Sequence, residues 1–306
     1  MIDIKEKKNC CGCNACYDIC PKDAITLSTD IEGFWYPRVD IDKCINCGLC
    51  ERTCPQLHIG ALKKNDFEYP VCFAAIHKNI EVRFGSTTGG LFSALAEQMY
   101  REGGYVGGAI YNKDFSVSHF ISNNPADLAL LRQSKYSQSQ TCGIYKEVKR
   151  LLMAGEKVLI CGTPCQMAAL RRFLNNYENL IIVDFICKSI TSPKFYAKYL
   201  DYWERKVGSQ LVSFKFKDKE LGWRSLVKRF DFKNGKTMYS RAQDNDLYSM
   251  AYHGNIVSRP SCYFCQFKGF PRMSDITIAD FWGVEKYAYL KDIDDNAGTS
   301  AVMCNS

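Results

Sequence analysis

Eight cysteines in two runs constrain this chain more than any other feature. The first run reads N-C-C-G-C-N-A-C-Y-D-I-C-P and places Cys10, Cys13, Cys16 and Cys20 at C-x2-C-x2-C-x3-C, closed by Pro21. The second reads C-I-N-C-G-L-C-E-R-T-C-P and repeats that spacing at Cys44, Cys47, Cys50 and Cys54, closed by Pro55. Such a loop aims three thiolates at one [4Fe–4S] cubane, and its fourth cysteine reaches the other cluster. The runs therefore assign Cys10, Cys13, Cys16 and Cys54 to one cluster and Cys20, Cys44, Cys47 and Cys50 to a second. Thiolates also hold zinc, but two complete runs, each closed by proline, speak against a pair of four-cysteine zinc sites. Cys11 is surplus to the pattern and reads as a neighbour of the cluster, not a ligand.

The rest of the chain must be a larger body. Its 306 residues, 46% of them hydrophobic, leave room for two domains and a sizeable core. There is no 18-residue uncharged apolar run, so no membrane span is expected. The start, MIDIKEKKNCC, lacks the apolar segment of a signal peptide. Nine of the 17 cysteines lie in the first 54 residues at metal spacing, which points to thiolate–metal chemistry in a reducing cytoplasm. Residues 1–60 hold 7 Lys/Arg and 9 Asp/Glu, a net −2, so the remainder, with 33 and 24, carries +9 of the overall +7. A basic body suits an anionic cofactor, an anionic small molecule or an acidic carrier protein. Nothing in it resembles a nucleic-acid module.

Read in order, residues 1–60 form a small α+β lobe of bacterial ferredoxin type, with short strands at Ala24–Ser28 and Trp35–Val39. Residues 61–70 read as a linker ending in Pro70. From residue 71 to 306 the pattern is α/β, with a strand at Val71–Ile76 and a helix over L-F-S-A-L-A-E-Q-M-Y ended by Gly103 and Gly104. Strands are expected at Tyr105–Tyr111 and Phe115–Ile121, and a helix from about Thr141 to Ala154. Lys157–Cys161, a helix opened by G-T-P-C-Q, and an apolar strand within Asn179–Cys187 make a βαβ unit, hence a parallel pair. A helix follows Pro193, and residues 209–240 alternate as strands.

Two features of this body carry chemistry. Cys165 and Cys187 sit past the ends of adjacent parallel strands, where ligand crevices form, and Cys262-x2-Cys265 could complete four thiolates there. The set reads as a third [4Fe–4S] cluster or as zinc; buried apolar cysteines and a redox dithiol remain as readings. Ser86, Thr87, Thr88, Gly89 and Gly90 lie between a strand and a helix, where backbone N–H groups and the helix dipole favour an anion; the plain alternative is a capped helix start. Lys135, in S-K-Y-S-Q-S, meets a phosphate or is solvated. His58, His77, His119 and His253 have no motif partner and read as ordinary, as do Cys72, Cys142, Cys161 and Cys304 as structural residues. Asp275 and Asp280 bracket an apolar strand as an acid–base pair or as backbone anchors.

From about Val71 to the C-terminus the chain resembles the coenzyme F420 hydrogenase/dehydrogenase beta-subunit family. The resemblance rests on F-G-S-T-T-G-G, G-G-Y-V-G-G-A-I-Y, S-K-Y-S-Q-S, V-L-I-C-G-T-P-C-Q, R-P-S-C-Y-F-C-Q-F-K-G and D-I-T-I-A-D-F-W-G. It implies FAD beside a [4Fe–4S] cluster, with the flavin exchanging hydride with a substrate and single electrons with clusters. By that resemblance Cys165, Cys187, Cys262 and Cys265 become third-cluster ligands, and Ser86–Gly90 and Gly162, Thr163 and Pro164 become FAD contacts. The implied protein is an iron–sulfur flavoprotein oxidoreductase. It takes an anionic hydride carrier, coenzyme F420 or similar, and exchanges electrons with a ferredoxin or partner protein. Two alternatives stand beside it: a non-flavin electron-transfer subunit wiring a separate catalytic partner, and a ferredoxin-dependent reductase of another organic substrate. Lys188 and Ser189 stand where the family usually has His-Gly and Ala279 where many members have Gly; the family usually continues further, so a shortened member or a truncated piece of one is expected.

Overall fold

The computed structural model describes residues 1–62, 69–174, 177–290 and 294–306. Most of the expected linker, residues 63–68, lies outside the described residues; ahead of it, residues 56–61 form a 3-10 turn whose Ile59 packs on the main core. Each cysteine run ends in a one-turn helix, α1 (Ala15–Ile19) and α2 (Leu49–Thr53), entered through a left-handed residue, Asn14 at φ 60° and Gly48 at φ 70°. Between them β1 (Ile25–Thr29) and β2 (Trp35–Val39) pair antiparallel, with Ile25 opposite Val39.

The body's helices are α3 (Ile80–Gly85), α4 (Leu91–Arg101), α5 (Leu128–Leu131), α6 (Ile144–Met153), α7 (Pro164–Leu174), α8 (Pro193–Val207), α9 (Leu247–His253) and α10 (Pro260–Tyr263). Its strands are β3 (Val71–Ala75), β4 (Tyr105–Tyr111), β5 (Val117–Ser122), β6 (Val158–Gly162), β7 (Leu180–Phe185), β8 (Leu211–Asp218), β9 (Val227–Phe232), β10 (Thr237–Arg241), β11 (Ile276–Asp280) and β12 (Ser300–Cys304). Seven of them form one mixed sheet in the order β3-β12-β11-β7-β6-β4-β5. The middle four, β11, β7, β6 and β4, run parallel, while β12 and β5 pair antiparallel to their neighbours. The expected β6–α7–β7 unit is therefore the centre of the sheet.

Strand side chains alternate between faces. Val158, Ile160 and Ile182 meet α6 and α7 on one face, and Leu159 and Val183 meet α4 and α5 on the other. Helices cover both faces, as a mainly parallel sheet requires. A separate meander, β8 to β10, packs with α8 and α9 around an aromatic core in which Trp203 stacks on Phe230 at 4.6 Å.

The cysteine lobe docks on the α6/α7 face. Cys11, Cys13 and Ala15 are part of that core. The helix expected from Thr141 starts later, at Ile144 behind Gly143, because the lobe uses this end of it. The Thr141 hydroxyl donates to the Cys13 carbonyl at 2.8 Å. Asp18 of α1 accepts from the Gly143 N–H at 2.6 Å and the Tyr145 N–H at 2.9 Å, so it caps α6 from another part of the chain. Replacing such a cap costs about 1–2 kcal/mol. Asp18→Ala is expected to lower stability by about that much in urea melts of the iron-loaded protein; an unchanged midpoint would remove Asp18 from the docking contact.

Candidate functional site

The two cysteine runs interleave in space. Cys13 feels the charge of Cys54 and Cys16, Cys16 that of Cys10, Cys54 and Cys50, and Cys54 that of Cys10, so those four thiols lie close together with Cys50 beside them. Cys20, Cys44, Cys47 and Cys50 line another, a hollow of about 370 Å³ of atom-free space. Backbone donors already point at its sulfurs: Ile2 N–H lies 3.2 Å from Cys50 Sγ and Ala24 N–H 3.3 Å from Cys20 Sγ. Cys47 is exposed, whereas Cys13 is buried under the body, so one set is outer and the other inner.

The second cysteine set also converges. Cys165 stands in the first turn of α7, Cys187 past the end of β7, Cys262 in α10 and Cys265 just after it. Cys187 is coupled to Cys165, Cys262 and Cys265 alike. Burial pushes the Cys262 thiol up to about 11, the opposite of the depressed value a reactive dithiol uses. Cys11, the supernumerary residue of the first run, hydrogen-bonds both Cys13 and Cys165 through its thiol. Among the described residues no three His, Cys, Asp or Glu side chains close on a point that would hold one metal ion.

Beside this set opens a cavity with about 1350 Å³ of atom-free space, part of it continuous with solvent. Its floor is the carboxyl edge of the parallel strands: Gly108 and Ala109 of β4, Cys161 and Gly162 of β6, Ile278 to Asp280 of β11, and Phe185 to Ile190 after β7. Open α/β sheets bind ligands at this edge. Ser86, Thr87, Thr88, Gly90, Lys135, Gly162 and Thr163 all line it, and so does Cys187. Gly90, at φ 86°, starts α4 there, so that helix presents its N-terminus to the cavity.

Two of the expected contacts, Gly89 and Pro164, lie off the wall, and Lys135 has protein partners of its own. Gly89 is not on the wall. Its N–H donates to Ser300 Oγ at 3.0 Å, and a Cβ would sit 2.3 Å from the Ala75 carbonyl, so it is glycine because β3 and β12 close over it. Pro164 begins α7 and is buried away from the cavity. Lys135 stands on the wall, and its ammonium donates to the carbonyls of Leu130, Leu131 and Arg132 at 2.5–3.3 Å, capping α5. Burial lowers it to about 7.

Other wall residues carried no signal in the sequence. His119 and Cys161 face the cavity, although both read as ordinary. Neither ring nitrogen of His119 has a hydrogen-bond partner of normal geometry among the described residues. Burial lowers His119 to about 4 against a backbone hydrogen bond at Cys161 that raises it, so the imidazole is neutral. Tyr136 and Tyr252 meet edge-on at 5.5 Å. Asp280 pairs with Lys217, and Lys188 reaches the His253 carbonyl at 2.9 Å. Asp275 is the backbone anchor of the two readings: it accepts from the Ile182 N–H at 2.7 Å and from Arg171.

Residues 155–306 match the family model for the C terminus of the coenzyme F420 hydrogenase/dehydrogenase beta subunit, and residues 9–57 match a 4Fe-4S dicluster domain. An uncharacterized ferredoxin of Methanocaldococcus jannaschii is 38% identical over 52 residues, 17% of this chain and 66% of that protein. One subunit of the F(420)H(2) dehydrogenase of Methanosarcina mazei is 22% identical over 198 residues, 61% of this chain. The chain spans only 55% of that protein's length. A chain of the F420-reducing [NiFe] hydrogenase complex from Methanosarcina barkeri shares the fold, at TM-score 0.51 and 18% identity, over 78% of this chain and 76% of that one.

Proposed function

Because this chain belongs to the coenzyme F420 hydrogenase/dehydrogenase beta-subunit family through residues 155–306, behind a 4Fe-4S dicluster domain at residues 9–57, we propose that it is an iron–sulfur flavoprotein oxidoreductase. It passes electrons between an anionic hydride carrier, coenzyme F420 or similar, and thiolate-held clusters. In this reading residues 1–60 are the two-cluster lobe and residues 71–306 the flavin-binding body. The carrying observation is continuity: the cavity opens on Cys187, Cys187 meets Cys165, and Cys165 touches Cys11 of the inner run.

FAD bound there would supply the conversion between hydride pairs and single electrons. The chain's own part is to bind, orient and exclude water. The N-terminus of α4 and the hydroxyls of Ser86, Thr87 and Thr88 favour a pyrophosphate. Neutral His119 offers one donor and one acceptor to a ring edge. Tyr136 and Tyr252, on the aromatic core of the meander, wall off solvent. Lys188 gives the wall a cation that suits an anionic carrier. The outer cluster, beside exposed Cys47, is where a protein partner would take electrons.

The test is FAD binding to anaerobically purified, iron-loaded chain. One flavin per chain is expected. Ala279→Phe, which fills the cavity from β11, is expected to weaken FAD at least about tenfold, or about 1.4 kcal/mol, without changing iron content. Fully iron-loaded protein that takes up no flavin would leave an electron-transfer subunit serving a separate catalytic partner.

A further inference from the structure

The most deeply buried large side chain of the body is a cation. Arg259 has no exposed surface and caps the start of α10, three residues before Cys262. Its Nε donates to the Cys10 carbonyl at 2.8 Å and one terminal nitrogen to Gln138 Oε1 at 3.0 Å. The other terminal nitrogen reaches Cys10 Sγ at 3.4 Å and the Trp35 carbonyl at 3.0 Å. The guanidinium lies 4.2 Å from the Tyr36 ring centre. The cysteine loop is shaped around it: Gly12 has φ +73°, and a Cβ there would stand 2.9 Å from the guanidinium carbon.

No carboxylate pairs with Arg259 among the described residues. A buried charge without a counter-ion is costly, and the groups beside it that can carry negative charge are Cys10, Tyr36 and Cys11, with burial holding the Tyr36 phenol protonated. An anionic cluster on the inner thiols would supply the missing partner. The same segment then offers Cys262 and Cys265 to the second set, and Cys11 links the two sets through Cys13 and Cys165.

We propose that Arg259 is a positioning residue that sets the reduction potential of the cluster on Cys10, Cys13, Cys16 and Cys54 above that of the outer cluster. Adding one electron to a cluster makes it one unit more negative, with no proton or bond change. A buried cation in contact with one ligand stabilises the reduced form more than the oxidised form, and burial keeps salt from screening it. The electron therefore rests at the junction with the second cysteine set rather than at the exposed end. This rests on the dicluster reading of residues 9–57 and does not depend on the flavin.

Redox titration of the full chain, followed by electron paramagnetic resonance with dithionite as reductant, tests it. Two separate waves are expected from the N-terminal clusters, recognised as those that Cys165→Ser leaves in place; of these, the one that also survives Cys47→Ser, the inner one, is expected at the higher potential. Arg259→Gln is expected to shift that wave down by about tenfold in the reduction equilibrium, about 59 mV for one electron, leaving the outer wave in place. Arg259→Lys keeps the charge and is expected to recover most of the shift. Coincident waves in the unsubstituted protein, or an inner wave at the lower potential, would overturn the proposal without requiring any variant to fold. A Lys variant that shifts as far as the Gln variant would reduce Arg259 to a packing residue. A first run that takes up no iron would overturn the dicluster reading along with it, a distinct outcome.

Discussion

Cys165→Ser is expected to remove about four of about twelve irons per chain while the two N-terminal clusters remain. The reasoning starts from position. Cys165 is coupled to Cys187, Cys262 and Cys265, and it alone of the four also touches Cys11. Serine nearly matches its volume and can keep the contact with Thr163 Oγ1, now 3.2 Å from the sulfur, so the α7 turn should fold. What it cannot do is act as a soft thiolate ligand. Electron passage from the cavity to the N-terminal clusters should fall with the iron, because the lost site lies between them. Metal analysis separates the alternatives. A zinc site would show about eight irons before and after the change, with one zinc lost. Full iron and intact electron passage in the variant would sink the third-cluster assignment.

What the sequence makes legible here is local chemistry. Ligand spacing is written in consecutive residues, so both runs could be read, and the β6–α7–β7 unit follows from an apolar strand, a helix opener and a second apolar strand. Pairing across long separations is not written that way. Ser300 opposite Ala75 and Ile278 opposite Phe185 put β12 and β11 between β3 and β7, and nothing near those residues names their partners. Short elements also escape. The turn α3 is held by Asn79, which accepts from Glu81 and Val82, a cap too brief for periodicity to register. Glycine and lysine are ambiguous in a different way. Gly89 looks like a phosphate cradle and packs between β3 and β12, while Lys135 caps a helix end and still stands on the cavity wall, because both roles demand the same residue. Arg259 and Cys11 gain their meaning only once the cysteine lobe is docked.

Lys228→Met is expected to destabilise the body by about 3–5 kcal/mol, the usual cost of leaving a buried charge unpaired. Lys228 and Asp246 are 5% and 1% exposed and lie 2.7 Å apart. Burial would raise the Asp246 carboxyl, but Lys228, Tyr199 and Ser240 hold it below the ordinary range. A lowered carboxylate contributes stability that is present above its unfolded value, about 3.9, and lost as pH falls through the folded value. The variant's deficit should therefore be full at pH 7 and shrink in acid, where protonation removes the orphan charge. Adding Asp246→Leu should recover only part of the loss, since Asp246 also accepts from Tyr199 at 2.5 Å, Ser240 at 2.7 Å and the Ser249 N–H at 2.7 Å. The effect should reach the cavity as well. Asp246 caps α9, and α9 carries Tyr248, whose hydroxyl holds the Tyr136 carbonyl at 2.7 Å, and Tyr252 on the wall. Urea melts across pH 4–7, read beside FAD retention, check both halves; a deficit under about 1 kcal/mol at pH 7 would mean that the pair is worth no more than a surface ion pair.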